Sequence, residues 1–242
     1  MKAILYCPDD MTTVPEFRKR GPLALMPFLG KTVLEHGLDA LTVAGVRSLR
    51  VIAPNAAGQL RHHVGRGERW GMALETTGRA DEWTRKDCAA PTNIRLLKLD
   101  RLPQLPGHEL WRDYLAWHTA QMALLPEFAS RRVGMKEIAP QVFVGLRTRI
   151  APDVRLSGPC WVGDNVRIGA HAIIGPGSII EDDCYVDEGA EIQDSVIGKR
   201  TYVGALTEIR NSFADGDKLL HLDTGSQTNV SDRLLLCALK PQ

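Results

Sequence analysis

The sequence has almost no net charge: 30 Lys and Arg against 29 Asp and Glu leave +1 with histidine neutral. That balance removes any bulk electrostatic case for nucleic acid or an anionic membrane as a partner, because attraction to either grows with excess positive charge. No window approaches 18 apolar residues, so no membrane-spanning helix is expected. The apolar start after Lys2 is broken at Pro8-Asp9-Asp10 and does not read as a targeting segment. Cysteine is scarce and scattered: Cys7, Cys88, Cys160, Cys184 and Cys237 are odd in number and never spaced C-x-x-C. This spacing excludes a disulfide framework and a zinc knuckle, and it points to a reducing, cytoplasmic setting. What is present, 44% hydrophobic and 24% charged residues, is ordinary for a folded globular chain and excludes wholesale disorder.

The strongest pattern is a period of six. From Ile138 an aliphatic residue recurs at Val144, Ile150, Leu156, Val162, Ile168, Ile174, Ile180, Val186 and Ile192. After a one-residue contraction the phase resumes at Ile197, Val203 and Ile209. A second, mostly small set follows four residues after each, from Val142 and Thr148 through Cys160, Ala172, Ser178, Cys184, Ala190 and Val196 to Thr207. Both sets are expected to face one interior. A six-residue unit makes a short strand and a turn, and three units, about eighteen residues, make one triangular coil that stacks on the next. Glycine often follows the aliphatic residue, as in VGDNVR and IGKRTY, where it is expected to relieve the turn. The pattern resembles the left-handed parallel β-helix of hexapeptide-repeat proteins.

The first half has no such period. KAILY reads as a strand, TVLEHGLDALTVAG as a helix ending near Gly45, and RSLRVIA as a second strand, which together make a β-α-β unit. AAGQLRHHV suggests another helix, MALETT and IRLLKL further strands, and residues 78 to 93 a loop. HELWRDYLAWHTAQMALLPEF reads as an amphipathic helix burying Leu110, Leu115, Trp117, Met122 and Leu125.

The run PLALMPFLGKTVLEH, followed by a helix ending Ala44-Gly45-Val46 and a strand, resembles the sugar-1-phosphate nucleotidyltransferases, the NDP-sugar pyrophosphorylases. Pro22, Leu25, Met26, Pro27, Gly30, Lys31, Glu35 and His36 fall on that family's pattern. GRGERWGMALE, with Arg66 where the family prefers Asp, resembles its next segment. The resemblance covers about residues 1 to 77, and a C-terminal hexapeptide β-helix is a common appendage in that family. It implies an α/β fold made of a truncated Rossmann-like nucleotidyltransferase domain over 1–130, an all-β left-handed helix over 131–214, and a capping tail over 215–242.

Nucleotidyl transfer needs backbone N–H groups at a glycine-rich turn, cations for the leaving pyrophosphate, and carboxylates holding Mg²⁺. Where the family has A-G-G-x-G-T-R-L, this chain has Cys7, Pro8, Asp9, Asp10, Met11, Thr12, Thr13 and Val14. Only the threonine survives. Pro8 removes a donor, Asp9 sets a carboxylate where a phosphate would arrive, Thr13 replaces the arginine, and Leu23 replaces a lysine. Arg18, Lys19 and Arg20 lie nearby, and three adjacent cations on a loop are more often a solvated turn. The resemblance leaves Lys31 and Asp100 as the remaining catalytic candidates. Asp100 is also the one strand-terminal carboxylate for a metal, against its simpler reading as a turn residue. Trp111-Arg112-Asp113 resembles a remnant of the family's W-x-D segment.

In the β-helix, His171 in IGAHAI is an outward turn residue and the candidate general base of a hexapeptide acyltransferase; His221 is a second, and His62-His63 has no third metal ligand. The acidic run Glu181 to Glu191 reads as a solvated face, and Cys160 and Cys184 as inert core. The sequence therefore points to a nucleotidyltransferase-like protein of nucleotide-sugar or polysaccharide metabolism, catalytically inactive and serving as a regulatory or scaffold subunit. It would form a homo-oligomer, or a hetero-oligomer with an active nucleotidyltransferase, with no metal or other cofactor of its own. Two alternatives stay open: a reduced but active, Mg²⁺-dependent sugar-1-phosphate nucleotidyltransferase, and an acyltransferase.

Overall fold

The structure is a computed structural model that describes residues 2–7, 21–78 and 94–240. Two compact units divide the chain, Met1–Ala116 and Trp117–Gln242.

In the first unit, strands β1 (Lys2–Tyr6), β2 (Ser48–Ile52), β3 (Ala73–Thr77) and β4 (Ile94–Lys98) form a parallel sheet in the order β3-β2-β1-β4. The sequence reading expects each of the four. β1 is central, and its run Ala3-Ile4-Leu5 is buried throughout, the pattern of a strand covered on both faces. β3 lies at an edge and alternates exposed and buried residues. Helix α1 (Val33–Val43) begins at a reciprocal cap: the Glu35 N–H donates to the Thr32 hydroxyl, and the Glu35 carboxylate accepts from the Thr32 N–H. It stops at Gly45, whose φ of 78° lets the Val46 N–H return to the Leu41 carbonyl. Val33, Leu34, Leu38 and Leu41 make its buried stripe. Helix α2 (Ala57–Val64) buries Leu60 and Val64.

The second unit is a three-sided coil of parallel strands. Cys160 pairs with Val142 on one side and Ser178 on the other, a step of eighteen residues. From Ile179 to Val196 the step is seventeen, and it stays seventeen from Val196 to Phe213. Val144, Val162, Ile180 and Ile197 stack in the interior with Ile168, Ile174, Val186, Ile192 and Val203. Each such aliphatic contributes roughly 2 kcal/mol by leaving water. The small inward residues carry hydrogen bonds as well: the Ser178 hydroxyl donates to the Ile192 carbonyl at 3.0 Å, and the Cys184 thiol to the Gly198 carbonyl at 3.1 Å.

Three expectations for the coil change. Ile138 is not its first interior residue; it is 47% exposed, on a strand (Lys136–Ala139) that runs antiparallel to Val142–Val144. Val196 points outward, opposite Ile179, because the contraction falls before it and hands the interior place to Ser195. Apart from Gly175, whose φ is 98°, the glycines after the aliphatic residues do not supply turn freedom. Gly145, Gly163, Gly169, Gly198 and Gly204 are absent from the left-handed region, which at the corners is taken by Arg147, Asn165, His171, Asp183, Arg200 and Leu206. What those glycines permit is close stacking: a Cβ on Gly163 would lie 2.8 Å from the Asp182 nitrogen, and one on Gly169 2.7 Å from that of Glu188.

One outer face of the coil is apolar. Phe143, Trp161, Ile179, Val196 and Phe213 form a buried outward row, and helix α3 (Tyr114–Arg131) covers it. Trp117 meets Phe213 with ring centroids 5.1 Å apart, Phe128 stacks on Trp161 at 5.8 Å, and His118 Nε2 lies 2.8 Å from the Gly177 carbonyl. The helix starts at Tyr114, six residues later than expected, because the Asp113 carboxylate accepts the Ala116 N–H as a cap. Leu115 accordingly falls out of phase with the buried stripe and is 45% exposed. At the other end the pairing turns antiparallel: Lys218–His221 runs against Ser212–Asp215, and Leu236–Ala238 against Thr201–Val203, which covers open strand edges.

Candidate functional site

The residues that carry the family resemblance all hold the first unit together. Leu29 and Gly30, both with positive φ, turn the short hairpin Pro27–Thr32. Lys31 reaches across the first turns of α1 to Asp39, which also accepts the Trp70 indole N–H at 2.8 Å. Glu35, besides capping α1, takes the Arg69 guanidinium at 3.0 Å and faces His63 at 3.6 Å. Burial works against its charge, but the Thr32 backbone bond together with the neighbouring His63 and Arg69 side chains holds its carboxyl below the usual range. His36 is buried with Nε2 2.7 Å from the Phe28 carbonyl; burial depresses its pKa to about 4 despite that bond, so it is neutral at physiological pH.

The other candidates of this unit are also engaged. Asp100 follows β4, faces Arg101 at 3.6 Å and lends its backbone carbonyl to the Leu110 N–H. Trp111 donates its indole N–H to the Leu99 carbonyl at 2.8 Å, so that segment braces the turn after β4. No group of three or more His, Cys, Asp and Glu is placed to hold a metal among the described residues. The turn Pro8, Asp9, Asp10, Met11, Thr12 and Thr13 lies outside the described residues, as do Arg18, Lys19 and Arg20. A cavity of about 270 Å³ lies between α1 and the end of β4, lined by Leu5, Gly37, Leu41, Leu99, Arg101 and Leu102. Its wall is mostly aliphatic and offers no converging set of polar groups.

In the second unit His171 stands at a corner with φ 59° and its side chain 68% exposed. Its Nδ1 lies 2.8 Å from the Asp153 carboxylate, which occupies the same corner one coil earlier. This contact fixes the ring and leaves Nε2 facing outward, the arrangement of a histidine able to take a proton from a bound nucleophile. The sequence reading missed Asp153, although the eighteen-residue interval from Asp153 to His171 carries the signal once the coil length is known. His221 is only partly buried and has its Nδ1 enclosed; His62 is exposed. Cys160 and Cys184 are interior, and burial pushes the Cys160 thiol up to about 12 and the Cys184 thiol higher still, so neither is a nucleophile. The acidic run is partly structural: the Asp182 carboxylate accepts the Asp164 N–H at 2.8 Å, and the Asp164 carboxylate accepts the Leu146 N–H at 2.8 Å one coil earlier.

No helix among the described residues is long and apolar enough to cross a membrane. No family model matches the chain. It is similar to the bifunctional protein GlmU of Thermodesulfovibrio yellowstonii, 33% identical over 41% of this chain and 27% of that protein. It is also similar to the bifunctional protein GlmU of an Exiguobacterium species, 31% identical over 41% of this chain and 26% of that one. The chain thus matches about a quarter of the length of these curated relatives. A crystal structure of a perosamine N-acetyltransferase mutant from Caulobacter crescentus with CoA and GDP-perosamine covers 89% of this chain and 94% of its own, at 13% identity and a TM-score of 0.21. At that score the likeness carries no argument.

Proposed function

We propose that the chain is a nucleotidyltransferase-like protein of nucleotide-sugar metabolism in which the α/β part, residues 1–130, no longer transfers nucleotides. The protein serves as a regulatory or scaffold subunit, its second part a left-handed β-helix over 131–214 closed by the tail 215–242. The observation that carries this reading is the internal engagement of Lys31, Glu35 and His36: the motif that marks the family is used here to cap and pin α1. The loss of glycines and cations at positions 8 to 23 removes what would hold a triphosphate. The partial similarity to GlmU supports the metabolic setting. The protein acts in the cytoplasm as a homo-oligomer, or beside an active nucleotidyltransferase. Calorimetric titration with nucleoside triphosphates, with and without Mg²⁺, tests this: heats that stay the same when the metal is added support it, and micromolar, metal-dependent binding sinks it.

A second reading rests on the His171–Asp153 pair. In an acyltransferase, His171 Nε2 would accept the proton of an acceptor amine or hydroxyl as it attacks a thioester carbonyl, the new N–C or O–C bond forming as the thiolate leaves. Saturable acyl transfer from acetyl-CoA that is abolished in His171→Ala and reduced in Asp153→Asn would move the assignment to this reading.

A further inference from the structure

The three outer faces of the coil differ in what they offer. One is apolar and covered by α3. A second carries Arg155, Ile173, Glu191 and Glu208 outward, and its two acids are engaged by Arg210, which bridges Glu191 and Glu208. The third carries an outward row of a different kind: Arg149, Arg167, Tyr185 and Tyr202, one from each successive coil. Adjacent rungs lie about 4.8 Å apart, the spacing of neighbouring strands.

Within that row the tyrosines are held in place and the arginines are not. The Tyr202 hydroxyl donates to one oxygen of Asp187 at 2.8 Å and that of Tyr185 to the other at 3.4 Å, with the rings 5.6 Å apart. The Glu188 N–H and the Tyr202 hydroxyl together hold the Asp187 carboxyl below the usual range, so the clamp persists across physiological pH. Arg149 and Arg167 are exposed and make no ion pair among the described residues, whereas Arg132 and Arg210 do.

We infer that the row Arg149–Arg167–Tyr185–Tyr202 binds a nucleoside diphosphate, with the two phosphates on the arginines and the base against the tyrosine rings. Two guanidiniums one rung apart match two linked phosphates, each offering planar donors to phosphate oxygens. The exposed ring of Tyr185, backed by the partly buried ring of Tyr202, supplies a surface on which any base stacks. Charge sets the direction: Asp187, with Glu188 next to it in the chain, sits at the tyrosine end and repels phosphate there, and no acid sits in the row beside the arginines. The same acids and the short row, four rungs in length, disfavour a continuous single strand of nucleic acid, which needs a longer basic track. The inference is independent of the fate of the α/β part and of His171.

The test is calorimetry on the full chain with ADP, GDP, UDP and CDP in turn, without Mg²⁺, beside pyrophosphate, the matching nucleoside and an oligouridine of about twenty nucleotides. At least one diphosphate is expected to bind saturably and at one per chain, with pyrophosphate and the nucleoside each at least tenfold weaker. Arg149→Ala/Arg167→Ala should weaken binding tenfold or more and Tyr185→Ala about fivefold, while Arg155→Ala on the neighbouring face leaves it unchanged; all are exposed positions, and an unaltered melting temperature excludes misfolding. No saturable binding at millimolar diphosphate overturns the inference. So does binding that survives the double arginine variant, which places the ligand elsewhere, or tighter binding of the oligouridine, which makes the row a nucleic-acid contact.

Discussion

His36 Nε2 lies 2.7 Å from the carbonyl oxygen of Phe28, eight residues earlier, and the bond ties the hairpin before α1 to the first turn of that helix. The imidazole is buried with a pKa near 4, so unfolding below the usual histidine range takes up a proton that the folded state refuses. The stability it supports is complete above about pH 7 and is lost as the pH falls from about 6.5 towards about 4. Between pH 7 and pH 5 the loss from His36 should be about 2 kcal/mol. His118, buried and depressed in the same direction, adds to it in the second unit. Urea titrations at the two pH values, on wild type and on His36→Gln, measure this; the glutamine variant should lose less between them.

Trp161 should be worth more than any interior aliphatic, although it lies outside the coil. It is fully buried, stacked on Phe128 and crossed by the Arg132 guanidinium at 4.9 Å. Trp161→Ala should cost about 3–5 kcal/mol and free α3 from the face it covers. Far-UV and fluorescence transitions that still coincide after the substitution would argue against the second part.

Two glycines differ in how far they tolerate a side chain. Gly163→Ala puts a Cβ 2.8 Å from a backbone nitrogen of the next coil and should destabilise by about 2 kcal/mol or more, since backbone must shift. Gly189→Asn keeps a left-handed φ that asparagine tolerates, and meets only the tip of the Leu206 side chain. Its effect on the melting temperature should be a fraction of that of Gly163→Ala.

Thr32→Ala removes the hydroxyl half of the α1 cap and should cost about 1 kcal/mol. Glu35→Gln keeps the capping geometry but removes the charge that Arg69 and His63 face. Equilibrium denaturation of the pair separates the hydrogen-bonding role from the electrostatic one, and the threonine variant should be the less stable.

The sequence makes the interior of the coil legible because a period of six with aliphatic residues has one economical meaning, and even the contraction near Asp194 is visible as a slip in phase. It misleads at both margins of that pattern. Ile138 has the right spacing but belongs to an antiparallel strand, and Val196 keeps the old count one residue after the corner has dropped it. The partnership of Asp153 with His171 and the row from Arg149 to Tyr202 were both readable at intervals of eighteen and seventeen, since outward residues stack as faithfully as inward ones. The roles of Lys31, Glu35 and His36 were not. A motif records which residues are there and is silent on whether they face a ligand or one another, and here Asp39, Arg69 and Phe28 decide it from positions outside the pattern.

The change from eighteen to seventeen residues per turn falls at a corner, between Gln193 and Ser195, where Asp194 takes a φ of 45°. A deletion inside a strand would exchange the lining of the coil with its surface, because neighbouring side chains point opposite ways. At the corner the same deletion leaves every later residue on its own side. Chain length is therefore free to drift at the vertices while the edges stay fixed. A full turn could be removed or duplicated there by recombination, shortening or lengthening each exterior row by one rung and leaving the rest of the molecule in register.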